Sequence, residues 1–179
     1  MITVDQARLK LSYLVKKTDV EIIKIENSAG RVLAKDILSK VTQPPFCASA
    51  MDGYAIHKSD KLSGEKLRIV GEASAGKSYP KIIQKGEAVR IFTGAPVPEG
   101  ADCVVIQENV EKEKDNIILR NKIQNEDFIR PKGHDFQIGD KIASPLLLRP
   151  LDVSLLAAMN YREIPVYKKP HIAVLSIGD

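Results

Sequence analysis

The residues best suited to chemistry lie in Ser49-Ala50-Met51-Asp52-Gly53-Tyr54-Ala55, where one carboxylate stands among small residues and beside a glycine. A carboxylate so placed can hold Mg²⁺ through one oxygen, as carboxylates do where phosphates bind. Gly53 would let the backbone approach a ligand closely or take a positive φ. Taken alone, Asp-Gly is more often a plain turn. A second segment, Thr93-Gly94-Ala95-Pro96-Val97-Pro98-Glu99-Gly100-Ala101-Asp102, follows the run Arg90-Ile91-Phe92. Its Thr93 hydroxyl and loop amides are potential donors to an anion, and its two prolines stiffen the connection. In isolation it also reads as a rigid link between strands. In the third, Phe128-Ile129-Arg130-Pro131-Lys132-Gly133-His134-Asp135, Arg130 and Lys132 can face phosphate oxygens. Arginine offers the two-pronged geometry, and Asp135 can position the cations or a metal. A turn closed by a surface ion pair fits the same residues equally well.

Other chemistries find no support. There is no Ser-His-Asp or Cys-His arrangement, no phosphate loop ending in Gly-Lys-Thr and no Gly-x-Gly-x-x-Gly after a strand. Cys47 and Cys103 are far apart, and no metal-ligand spacing of cysteine or histidine occurs. The net charge of +4 is too mild for a dedicated nucleic-acid binder; it suits an anionic small molecule, although charge taken alone more often marks an ordinary solvated surface. The few aromatics of the middle stretch (Tyr54, Tyr79, Phe92, Phe128) do not interleave with basic residues, so base stacking is poorly supported. No signal-peptide pattern opens the sequence, and no apolar run approaches the ~20 residues of a membrane span. A reducing cytoplasm is the default.

These segments must be positioned by a framework. Thr3-x-x-Gln6 is a capping box, and Ala7, Leu11, Leu14 and Val15 recur at helical spacing, predicting a helix from about 4 to 16. A strand is predicted over 20–26, a turn at Asn27-Ser28-Ala29-Gly30 and a short helix over 31–37. Pro44-Pro45 forces extended backbone and suggests a domain border. Short β-type runs follow at 67–70, 88–92, 103–107 and 117–120, with a hairpin tip at Asp115-Asn116. Helix returns at Pro150, a good first-turn residue, and continues to about Asn160. The expectation is an α+β chain: a mixed discontinuous domain of residues 1–45 and 132–167, with an all-β, barrel-like domain of residues 46–131 inserted. The apolar run His171-Ile172-Ala173-Val174-Leu175 reads as a strand buried on both faces of a parallel sheet, the alternative being a lone edge strand added to the β unit. It leads to Ser176-Ile177-Gly178-Asp179, so residues 168–179 are read as the first strand of an α/β domain continuing in a longer protein.

Three segments, Ser49 to Ala55, Thr93 to Asp102 and Val174 to Asp179, together resemble the molybdopterin molybdenumtransferase (MoeA-type) family, to which gephyrin's C-terminal domain is similar. The resemblance runs over essentially the whole chain. It implies a cytoplasmic homodimer in molybdenum cofactor biosynthesis, with an active cleft between the β domain of one subunit and the α/β domain of the other. It further implies insertion of molybdate into adenylylated molybdopterin, release of AMP, and a divalent metal, Mg²⁺ or Zn²⁺. The chain alone would then be inactive.

Carried over by matching motifs, the resemblance gives Asp52, Thr93 and Asp135 catalytic roles, with Asp52 also the metal ligand. Ser49, Gly53, Tyr54, Gly94, Arg130 and Asp179 become substrate-binding residues. Ile177 departs from the threonine usual in the family, which puts a hydroxyl role there in doubt. The alternative is a non-catalytic dimeric scaffold of the same fold, with no need of a carboxylate and hydroxyl on stiff loops. Neither reading involves nucleic acid or membrane.

Overall fold

Thr3 opens the first helix as its side chain predicts: its hydroxyl accepts the Gln6 N–H at 3.2 Å, and Gln6 Oε1 accepts the Thr3 N–H at 3.1 Å. The computed structural model describes residues 2–120 and 125–175. In chain order, helix α1 (Val4–Leu14) and strand β1 (Val20–Lys24) precede β2 (Val32–Leu33), β3 (Ile37–Leu38) and β4 (Ala48–Ser49). Then come β5 (Gly53–Ile56), β6 (Lys66–Ala73), β7 (Glu87–Ile91), β8 (Cys103–Ile106), β9 (Val110–Glu113) and β10 (Asn116–Leu119). The series ends with β11 (Ile129–Arg130), β12 (Lys141–Ile142), β13 (Leu146–Leu147), helix α2 (Pro150–Ala158) and β14 (Glu163–Tyr167). The chain divides into two compact units, one of Met1–Val41 with Ile138–Asp179 and one of Thr42–Gln137.

In the first unit, β1, β14, β2 and β13 lie side by side in that order, and β3 pairs with β12. Leu33, Ile37, Leu148, Leu156, Ile164 and Val166 form its core, each at most 4% exposed. Pro150 is the first residue of α2, and Asp152 Oδ2 accepts the Arg149 N–H at 2.8 Å, closing the N-terminal turn. Helix α1 is different. None of its residues is buried, and Leu11, Leu14 and Val15 stay exposed, so its cap and internal hydrogen bonds carry it.

Two expectations fail in this unit. Residues 31–37 are not helical: Val32–Leu33 pairs with β13 and β14, and Ile37–Leu38 pairs with β12. Two apolar pairs spaced by four or five residues mimic a helical face, but each pair is captured by a neighbouring strand. Residues 171–175 form no strand, and Ile172, Val174 and Leu175 are about four-fifths exposed, because nothing among the described residues pairs with them.

The second unit is built on one six-stranded sheet in the order β8-β5-β7-β6-β10-β9. Its neighbours run antiparallel except the parallel pair β6 and β7. Tyr54, Ile56, Leu67, Cys103, Val105, Ile117 and Leu119 pack in one buried cluster. Ala55, Ala73, Ile83, Val89, Ile91, Ala95 and Val104 pack in another. Strand β5 therefore contributes to both clusters, Tyr54 and Ile56 to the first and Ala55 to the second. That is why it lacks the polar alternation of a half-buried strand; beyond the Asp-Gly turn, Gly53–Ile56 is a fully buried strand that no predicted β-type run includes. The predicted hairpin forms between β9 and β10, with Lys114 taking φ 51° at its tip. No helix among the described residues is long and apolar enough to cross a membrane.

Candidate functional site

Strand β5 starts immediately after Asp52, and β7 ends immediately before Phe92 and Thr93. The two strands pair with Gly53 opposite Ile91, so Asp52 and Thr93 emerge from adjacent strand ends. Asp52 Oδ1 accepts the Thr93 main-chain N–H and the Thr93 hydroxyl, both at 2.8 Å. Asp52 is half-buried and Thr93 is exposed. The Thr93 amide, and then its hydroxyl, hold the Asp52 carboxyl below the usual carboxylate range; partial burial opposes this, and the positive charge of Arg90 adds to it. Asp52 is consequently an anion at neutral pH. Its second oxygen, Oδ2, receives no hydrogen bond among the described residues.

The first unit provides a direct comparison. Asp36 Oδ1 likewise accepts the main-chain N–H of Ser144 at 2.7 Å and its hydroxyl at 3.0 Å. There, however, Lys141 Nζ occupies Oδ2 at 3.1 Å. The same device is closed by a lysine at Asp36, and no such partner meets Asp52 Oδ2 among the described residues.

The third segment adjoins the first two. Strand β11 pairs with β4, setting Ile129 opposite Ser49 and Arg130 opposite Ala48. Ser49 also bonds the second loop: its N–H donates to Ala95 O at 3.0 Å, and its carbonyl accepts the Gly94 N–H at 2.9 Å. The Ala50 N–H donates to Phe128 O at 2.8 Å, and Phe128 takes φ 48°, an unusual conformation for a bulky residue. All three segments singled out from sequence thus meet around β4 and the start of β5. Arg130 Nη2 reaches both oxygens of Asp135, at 2.8 and 3.1 Å, in an exposed pair.

Several residues sit differently from their expected roles. Ser49 is 1% exposed, and its hydroxyl donates to Met51 O at 2.6 Å, closing the turn that leads to Asp52. A Cβ on Gly53 would stand 2.1 Å from the carbonyl oxygen of Val105, so the neighbouring strand requires a glycine here. Tyr54 is 5% exposed in the core of the sheet. The amides of Thr93, Gly94, Ala95 and Val97 are not available to an anion: they go to Asp52, Ser49, Phe92 and Cys47. Gly94 is exposed with φ 81°, the left-handed conformation that turns the loop. Asp179 lies outside the described residues, as does Ile177.

Two contributors escaped the sequence reading. Gln107 donates its main-chain N–H to the Asp52 carbonyl at 3.1 Å. Arg90 stands beside the pair, half-buried on β7. Its signal was available: a lone charge inside the apolar run Ala88-Val89-Arg90-Ile91-Phe92.

The family model for the MoeA N-terminal region (domain I and II) matches residues 2–160. The chain belongs to this family. Among curated proteins, a molybdopterin molybdenumtransferase of Haemophilus influenzae is 37% identical over 182 residues, spanning 100% of this chain and 45% of that protein. One of Nostoc sp. is 33% identical over 172 residues, spanning 93% and 39%. The crystal structure of a molybdopterin biosynthesis moeA protein from Pyrococcus horikoshii OT3 superposes with a TM-score of 0.78 at 33% identity, covering 85% of this chain and 42% of that one. The chain thus spans less than half the length of these MoeA-family relatives, over their N-terminal region.

Proposed function

We propose that the intact protein inserts molybdate into adenylylated molybdopterin with release of AMP, and that Asp52 and Thr93 form one half of its reactive site. The observation that carries this reading is an ionised aspartate clamped at one oxygen by Thr93, its other oxygen receiving no hydrogen bond among the described residues. A carboxylate needed only to staple two loops would resemble Asp36, whose second oxygen is neutralised by Lys141.

The donor set fits Mg²⁺. Among the described residues no three His, Cys, Asp or Glu side chains gather into a metal-binding group. Zinc favours three or four protein ligands, whereas Mg²⁺ keeps several waters and is held by one or two carboxylates together with substrate phosphates. Asp52 Oδ2 would be the protein's ligand, and Mg²⁺ when bound supplies positive charge beside phosphate oxygens. Thr93 holds the carboxylate in one orientation, which is the positioning such a displacement requires. Arg130, steadied by Asp135, presents its guanidinium to the adenylate or pterin phosphate. Adding one water across the phosphoanhydride between pterin phosphate and adenylate gives AMP and the pterin phosphate, and molybdate joining the pterin dithiol forms two Mo–S bonds while one oxo group leaves with the two thiol protons as water.

By family resemblance the proposal extends to a cytoplasmic homodimer acting on small molecules, with a barrel-like β domain facing the partner's α/β domain. The chain by itself is then inactive. The scaffold reading retains one specific support, since the same clamp recurs between Asp36 and Ser144 in the other unit. Matched variants of the intact protein separate the two. Asp52→Asn should lower AMP release by roughly 100-fold or more, while Asp36→Asn lowers Tm and leaves turnover intact. Unaltered AMP release in Asp52→Asn would leave the scaffold reading standing.

A further inference from the structure

Arg90 lies on β7 opposite Tyr54 on β5. Its Nη1 donates to the Gly53 carbonyl at 3.0 Å, and its Nη2 donates to Gln107 Oε1 at 2.7 Å. Its guanidinium carbon stands 4.7 Å from the centroid of the Phe92 ring and 5.2 Å from that of Tyr54. These contacts surround the Asp52–Thr93 pair without touching it. Gly53 follows Asp52 in the chain, Phe92 precedes Thr93, and Gln107 holds the Asp52 carbonyl through its own amide.

We propose that Arg90 is a positioning residue for the Asp52–Thr93 clamp, tying the two strand ends that carry it into one rigid corner. The inference deepens the functional reading above and rests on it. The geometry requires arginine specifically. Two acceptors lie in different directions, and a planar fork reaches both while its faces lie against aromatic rings. A lysine ammonium keeps the charge but reaches as a single point. A forked cation half-buried on a strand and bonded to a main-chain carbonyl is more than a surface charge needs. Arg90 is half-buried, and its bond to the Gly53 carbonyl is partly shielded from water, whereas its bond to Gln107 is exposed.

The test compares Arg90→Lys and Arg90→Gln in the intact protein, reading amide hydrogen exchange at Thr93 and steady-state kinetics with adenylylated molybdopterin and molybdate. Both variants should speed Thr93 exchange about tenfold or more and lower kcat by a similar factor, with KM within about twofold, as loss of a charged hydrogen bond and misalignment imply. The amides of β10, in the same sheet, should keep their protection. Wild-type exchange and kcat in Arg90→Lys would overturn the proposal, because charge alone would then suffice. Equal acceleration across β10 would also overturn it, by making Arg90 a general stabiliser. Faster Thr93 exchange with unchanged kcat would uphold Arg90 as the holder of the clamp and overturn the catalytic reading of the clamp itself.

Discussion

Asp52 and Thr93, separated by some forty residues of chain, share two hydrogen bonds of 2.8 Å at a single carboxylate oxygen. The pairing of β5 with β7 brings them together, because each residue sits just past the end of its strand. The clamp constrains one oxygen and presents the other.

Thr93 provides two separable donors. Thr93→Val keeps the main-chain N–H and removes the hydroxyl, so kcat for AMP release should fall roughly tenfold, the usual weight of one hydrogen bond to a charged group. Thr93→Ser retains both donors and should stay within about twofold of wild type. Steady-state kinetics on the two variants check this, and equal activity of the valine and serine forms would remove the hydroxyl from the mechanism.

The ionisation of Asp52 sets a pH limit with a definite sign. The Thr93 donors favour the carboxylate, so the folded pKa lies below the ordinary value of 3.8. The clamp's contribution to stability is therefore complete above the unfolded value and is lost as pH falls through the folded one. Carboxyl-carbon NMR should place the Asp52 midpoint below 3.8, and Thr93→Val should move it upward. A midpoint at or above the ordinary value in the unmodified protein would contradict the geometry.

Gly53 tests whether the sheet positions the site. A methyl group there would meet the Val105 carbonyl at 2.1 Å, so Gly53→Ala must push β5 from β8. Overpacking of this kind costs about 3 kcal/mol, and chemical denaturation should show it. AMP release should fall along with stability, since Asp52 is the adjoining residue.

In the first unit, Leu156 of α2 is 0% exposed. Leu156→Ala should destabilise that unit by about 2–5 kcal/mol, measurable by denaturant titration. Thr93 amide protection should be unaffected.

What could be read in advance follows from how local each signal is. The capping box at Thr3 and Gln6, the first-turn Pro150 and the β9–β10 hairpin are decided by near neighbours, and all were legible. Asp52 and Thr93 stood out by residue type, although their contact depends on a strand pairing that no local pattern encodes. Gly53, Ser49 and Tyr54 could not be assigned from type alone. A glycine demanded by a strand carbonyl looks the same in sequence as one demanded by a ligand. Strand β5 was hidden because both its faces are buried, and residues 31–37 misled because two short apolar pairs imitate a helical period. Arg90 went unread because its partners come from three different strands or their ends.

The most direct measurement uses Mn²⁺ as a paramagnetic substitute for Mg²⁺, added to the intact protein with adenylylated molybdopterin bound. Amide signals of Asp52, Gly53, Thr93 and Gly94 should broaden, while those of Asp36 and Ser144, where Lys141 fills the carboxylate, should remain sharp. Sharp signals around Asp52 at saturating cation and substrate, or equal broadening at both clamps, would contradict an open carboxylate oxygen as the protein's ligand.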